Sequence, residues 1–239
     1  MQDFPEAPGG TAPHVFVTDI ATPVLTPEDR HHLAKVRRIR SGDLLSVTDG
    51  AGSWRWCRFG DDLEIATDTK FDTAPDPSLA VAFALVKGER PELVVQKLTE
   101  LGIDVIIPYI ADRSVVRWDD SKASRNHERL VKVAREASMQ SRRVRLPVVE
   151  AVCDFDSLPS RGFVRADRRE IHQGVADLAV PTSLAIGPEG GWSEREVMAI
   201  PASIGLGPTV LRAETAAIAG AALMVALRSR IVEPGVSPS

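Results

Sequence analysis

Apolar and polar positions follow two different rhythms along this chain, and the change between them divides it. Between residues 14 and 70 the apolar runs are short: HVFV (14–17), DLLSVTDG (43–50), WRWCRF (54–59) and LEIAT (63–67). A helix-like patch interrupts them around 30–39, and Asp49-Gly50 and Gly60-Asp61 supply turn chemistry. Short strands at that spacing predict a small β-rich barrel over 13–72. TAPDPS (73–78) carries two prolines and no periodicity, so it reads as a linker.

From residue 79 strands and helices alternate. LAVAFALV (79–86) is a continuous apolar run, as in a strand buried on both faces of a parallel sheet. In ERPELVVQKLTELG (89–102), Pro91 opens a helix, Val94, Leu98 and Leu101 share a face, and Gly102 closes it. VIIPYI (105–110) is the next strand, and 121–145 reads as a long basic helix with Leu130, Ala134 and Ala137 inward. Strands are expected near 162–166, 183–186 and 209–211, with helices from Ser193 and from about Glu214. Ser193 with Glu196 forms a capping box. This is the pattern of an α/β domain with a mainly parallel sheet over 79–230. The stretches 1–12 and 231–239 read as loose tails.

Composition fits a globular chain: 44% hydrophobic and 26% charged. Aromatics are only 5%, so the core is expected to be aliphatic. Cys57 and Cys153 lie far apart, which argues against a disulfide framework or a thiolate metal site. The longest apolar run, 216–227, is shorter than the ~20 residues a bilayer span needs. The acidic, Pro/Gly-rich start lacks a signal-peptide pattern, so the expected location is the cytoplasm. Net charge is −4, yet 113–145 carries ten Lys/Arg against four acids, and 30–40 carries five basic residues and no acid. Local fields of that kind steer a polyanion, although a lone charge run is more often a solvated helix face.

Two glycine-bearing turns follow expected strands. IGPEGGWSEREV (186–197) offers Gly187, Gly190 and Gly191 for close backbone approach or positive φ, then feeds the capped helix. In open α/β sheets ligands bind beyond the carboxyl ends of the strands, where this loop falls. It is neither a Walker A loop nor a dinucleotide fingerprint. LGPTVLRAETAAIAGAAL (206–223) places Arg212 and Glu214 between a β-like run and an Ala/Gly-rich helix. Charges there are expected to pair or to meet a ligand.

HHLAKVRRIRSGD (31–43) with TDGAG (48–52), KGER running into PELVVQKLTELGIDVIIP (87–108), RSVVRW (113–118), the stretch at 135–143, IGPEGGWS (186–193) and LGPTVLRAETA (206–216) occur in one order over residues 14–228. In this the chain resembles the bacterial 16S ribosomal RNA uridine N3-methyltransferases, SPOUT-class enzymes that use S-adenosyl-L-methionine. The resemblance implies a PUA-like β-barrel followed by an α/β domain with a C-terminal trefoil knot, a homodimer, and 16S rRNA or the assembled small subunit as partner. It assigns the methyl donor to three loops: Ile186, Gly187, Pro188, Glu189, Gly190 and Gly191; Leu206, Gly207, Leu211, Arg212, Thr215 and Ala216; and a third around Val164 to Asp167. Here VRADRRE (164–170) replaces the family's aliphatic-His-Pro pattern, and His14 stands near a segment that often carries Arg.

Methylating N3 of uridine puts negative charge on O2 and O4, so a nearby cation stabilises the transition state selectively. Arg212 is the expected cation. Glu189 or Glu214 is the proton acceptor or the group fixing Arg212. RNA contacts are expected from His32, Lys35, Arg37, Arg38, Arg40, Arg113, Arg125, Arg129, Lys132, Arg135 and Arg142. No metal is implied, since displacement at a sulfonium needs no Lewis acid. The Ala/Gly-rich helix around Gly220 is the expected dimer contact. Two alternatives stay open: a SPOUT enzyme acting on another RNA such as tRNA, and a non-catalytic rRNA-binding protein.

Overall fold

The computed structural model describes residues 4–85, 90–116, 118–168 and 181–232. Outside them fall Lys87, Gly88 and Glu89 of KGER, Arg117, the 169–170 end of VRADRRE and most of the second tail. The chain divides into two compact units, Met1–Pro75 with Arg135–Leu146, and Asp76–Ala134 with Pro147–Ser239.

In the first unit, β1 (His14–Phe16), β2 (Leu44–Thr48), β3 (Ser53–Arg58) and β4 (Glu64–Ile65) pair in that order, with β5 (Lys70–Phe71) also on β3. The β1–β2 pair is parallel and the others antiparallel. Val15, Leu45, Val47 and Cys57 alternate inward and build the core with Leu25 and Leu33. The helix-like patch becomes α1 (Pro27–His31), capped by Thr26 with Pro27 at its start, and then a π-helical stretch, His32–Val36.

Residues 135–146 differ from the sequence reading, which kept them in the second domain. Backbone and side-chain bonds tie them to the barrel. Leu146 N donates to Gly50 O, Thr48 Oγ1 to Val144 O, and Arg145 Nη2 to Asp72 O at 2.6 Å. Arg135 closes on the buried Asp29 at 2.6 Å and lies over the Phe16 ring. His14 is buried between Ser46 Oγ and Arg143 O, and that burial pushes its pKa down to about 4.

The second unit holds β6 (Ala80–Ala84), α2 (Arg90–Leu101), β7 (Val105–Ile110), α3 (Asp120–Ser141) up to Ala134, β8 (Val148–Val149), β9 (Cys153–Asp154), β10 (Val164–Ala166), β11 (Ser183–Ile186), α4 (Glu194–Ala199), β12 (Ser203–Ile204) and α5 (Ala213–Arg228). Among the described residues the sheet is parallel throughout, in the order β12-β10-β11-β6-β7-β8, with β9 also on β7. Both faces are covered. Val81, Phe83, Leu184 and Ile186 pack with Val94 and Leu98 of α2 and with Ala217 and Ala221 of α5. Ala82, Ala84 and Ala185 face Phe155, Leu158 and Ile200 instead. That two-sided burial is why the strands read as unbroken apolar runs.

Three expectations change. The long helix ends at Ser141 rather than 145, because Arg142 takes φ +63 and its Nη1 donates to Met139 O and Gln140 O. The strand expected at 209–211 is absent; β12 ends at Ile204. Gly207 at φ +134 and Pro208, which has no N–H, break the extended pairing. Gly220 faces inward, where a Cβ would collide with Leu184 of β11, so its smallness serves packing within this chain rather than a dimer contact. Among the described residues no helix is long and apolar enough to cross a membrane.

Candidate active site

The carboxyl ends of β10 and β11 and the loop after β12 surround a cavity of about 350 Å³ in the second unit. This is where parallel sheets present ligand sites. Ala166 ends β10, with Asp167 and Arg168 after it; Ile186 ends β11, with Gly187 to Trp192 after it; Leu206, Gly207, Thr209, Val210 and Leu211 come from the third segment. Ala213 and Ala216 of α5 close one side and Arg113 another. Aliphatic walls, exposed loop backbone and a few charges suit an amphipathic ligand.

The first loop is held from behind. Tyr109 Oη donates to Ile186 O at 3.0 Å. The Trp192 ring lies against Gly187, where a Cβ would come within 2.9 Å of it. Its Nε1 donates to Ala166 O at 2.9 Å, linking the β10 and β11 ends. Arg165 sits over that ring, and its guanidinium pairs with Asp167 at 2.9 Å while both are buried. The capping box at Ser193 and Glu196 starts α4, and Glu196 also accepts from Asp112 N. Gly191 takes φ +73, which glycine adopts without strain; Gly190 does not need a positive φ but lies 3.2 Å, counted from an added Cβ, off the Arg113 side chain.

Of the expected donor residues, Ile186, Gly187, Pro188, Glu189, Gly190, Gly191, Leu206, Gly207, Leu211 and Ala216 line the cavity. Val164, Arg212 and Thr215 do not. Val164 packs on the core, while Arg212 and Thr215 are exposed beside lining residues. Ala166 and Asp167, within the expected third loop, line it as well, and Arg168, Trp192, Thr209, Val210 and Ala213 line it without having been singled out. Val164 and Ala166 share one face of β10, and Ala166 reaches the cavity because it stands at the strand's carboxyl end. Nothing in the sequence marked Trp192.

Arg212 is the N-cap residue of α5, and its side chain makes no hydrogen bond or ion pair with another described residue. Neither carboxylate fixes it. Glu189 and Glu214 both turn to Arg90, at 3.2 and 3.7 Å. The expected RNA contacts split similarly. In the first unit His32, Lys35, Arg37, Arg38 and Arg40 are exposed, whereas Arg135 is held by Asp29. Burial, and then the nearby Arg37 charge, hold Arg142 below the usual arginine range. In the second unit Arg125, Arg129 and Lys132 are exposed, Arg129 pairs with Glu92 at 3.1 Å, and Arg113 donates to Gly190 O at the cavity.

Known proteins share this arrangement. Residues 74–225 match the RNA methyltransferase domain family, and residues 25–61 match the RNA methyltransferase PUA domain. Ribosomal RNA small subunit methyltransferase E of Mycobacterium bovis is 33% identical over 233 residues, covering 88% of each chain. The Bacillus subtilis protein of the same name is 34% identical over 220 residues, covering 80% of this chain and 85% of its own. A Legionella pneumophila protein solved with the cofactor SAM superimposes with a TM-score of 0.78 at 26% identity, over 90% of this chain and 97% of that one. The fold, the order of the two domain matches and this likeness over most of the length agree: the chain belongs to the RNA methyltransferase family that includes ribosomal RNA small subunit methyltransferase E.

Proposed function

We propose that this protein transfers a methyl group from S-adenosyl-L-methionine to N3 of one uridine in 16S rRNA of the small subunit. The observation that carries the reading is the cavity built by the two glycine loops, in a chain whose curated relatives are small-subunit rRNA methyltransferases. The residues present fit the donor. Ile186, Leu206 and Leu211 offer aliphatic surface for the adenine, and the loop backbone at Gly187 and Gly207 is open to close approach. Asp167, Arg113 and Arg168 supply charges for a zwitterionic amino-acid tail. When bound, the donor supplies an electrophilic methyl group.

The rest of the reaction falls to the protein. Uridine N3 must lose its proton as its N–C bond forms, and the developing charge spreads to O2 and O4. Arg212, exposed next to Leu211 and Ala213, is free to meet those oxygens, the differential contact catalysis requires. Glu189 and Glu214 are the carboxylates within the same loops for the proton. Lys35, Arg37, Arg38 and Arg40 of the PUA-like unit and Arg125 of α3 bind phosphates. The active form is a homodimer acting in the cytoplasm on rRNA or an assembled subunit, with the knotted thread that the family resemblance implies. The exposed side of α5, with Ala222 and Leu223, is the proposed dimer contact, since Gly220 points inward.

Mass spectrometry of small-subunit RNA from a deletion strain tests the reading. One uridine is expected to lose its N3-methyl and to regain it on complementation. An unchanged small-subunit RNA with a lost methyl in tRNA would move the substrate to the other RNA class.

A further inference from the structure

Arg90, the first residue of α2, lies between two segments of the cavity wall that have no other ion pair among the described residues. Its Nη1 stands 3.2 Å from Glu189 Oε1 in the glycine loop after β11, and its Nε stands 3.7 Å from Glu214 Oε1 in the first turn of α5. Stability does not account for the arrangement. Arg90 and Glu189 are 38% and 49% exposed in their side chains, and pairs so open to water contribute little. Glu214 is only 12% exposed, and its Oε2 is buried without a hydrogen-bond partner. A carboxylate placed for packing alone would have both oxygens satisfied. Glu214 stands in the first turn of α5, whose dipole offsets part of that cost.

We propose that Arg90 is a positioning residue that fixes the two glycine loops of the donor cavity relative to one another, by holding Glu189 and Glu214 at once. This rests on the donor reading above. A planar guanidinium can address two carboxylates in fixed directions, which an ammonium cannot. Loss of the bridge leaves the loops intact and frees Glu189 from Glu214, so the cavity must be ordered at the moment of binding. That ordering lowers affinity.

The test is calorimetric titration of S-adenosyl-L-methionine into the full chain as wild type, R90Q, R90K, E189Q and R90Q/E189Q, with a melting curve of each without ligand. R90Q is expected to weaken binding roughly 5–30-fold, the range of couplings between touching groups. R90K is expected to recover only part of that. E189Q is expected to weaken binding alone and to add nothing in the R90Q background. Glu189 is exposed, so E189Q reports even if R90Q fails to fold. Wild-type affinity in R90Q, full recovery in R90K, or additive losses in the double variant would each overturn the bridge. A merely structural Arg90 would lower the melting temperature and leave the affinity of folded protein unchanged. Failure of the wild type itself to bind the donor would sink the functional reading instead, and the two failures are thereby told apart.

Discussion

In the 30–40 stretch the side chains of Lys35, Arg37, Arg38 and Arg40 are exposed and form no ion pair with another described residue. In the 113–145 stretch at least five of the nine described cations are engaged within their own unit. Arg129 meets Glu92, Arg135 meets Asp29, Arg113 donates to Gly190 O, Arg142 caps α3, and Arg145 donates to Asp72 O. The two runs look equivalent as letters. What separates them is acceptors within reach: the long helix and the segment after it meet carboxylates and open carbonyls, whereas the side chains from Lys35 to Arg40 meet none among the described residues. Local charge density in a sequence therefore overstates the charge available to a polyanion.

The largest effect expected from this contrast is on pH stability where 142–146 meets the barrel. Folded His14 titrates near 4, against 6.5 for an ordinary histidine, because burial disfavours its charged form. Between those values the unfolded chain binds more protons, so stability is full above about 6.5 and falls as pH drops towards 4. The loss amounts to about 3 kcal/mol in total. Urea unfolding of wild type and His14→Asn from pH 4 to 7 measures it; a stability difference that stays constant across the window contradicts the assignment.

Next comes Arg135→Ala, which leaves the buried Asp29 carboxylate with only its Thr26 partner. Roughly 2–3 kcal/mol of stability should be lost, while the salt slope of RNA binding by the folded variant stays as in wild type. A slope that drops by one contact would return Arg135 to the RNA surface. The double reversal R37E/R38E should behave oppositely. Its unfolding free energy is expected within ~0.5 kcal/mol of wild type, and its RNA affinity slope against salt should flatten by about 0.7–0.9 per lost phosphate contact. Unchanged affinity and slope in a filter-binding series would erase the distinction between the two stretches. The smallest effect belongs to Arg129→Ala, whose exposed pair with Glu92 is worth ~1 kcal/mol or less.

Periodicity and caps gave most of the fold directly. β2, β3, β6, β7 and α2 lie where apolar runs and Pro91 or Gly102 placed them, and the Ser193–Glu196 box is present. What was not legible depended on distant partners. The 209–211 run is β-like in composition, yet Gly207 and Pro208 deny it a neighbour. Small residues in α5 signal close approach without saying to what; for Gly220 the answer is Leu184. The glycine loops were legible because glycine marks backbone geometry locally. Trp192 and Arg90 were not, because each acts through contacts with segments far off in sequence.

The central claim is that the cavity after β10 and β11 is the methyl-donor site, and Gly190→Val tests it most directly. Gly190 lines the cavity beside Arg113, and a branched side chain there crowds Arg113 and the open loop backbone. Titration calorimetry with S-adenosyl-L-methionine should show no measurable binding by this variant, with a melting curve and an rRNA gel shift close to wild type. Donor binding at wild-type affinity would mean that the loop is only a turn and that the active site lies elsewhere.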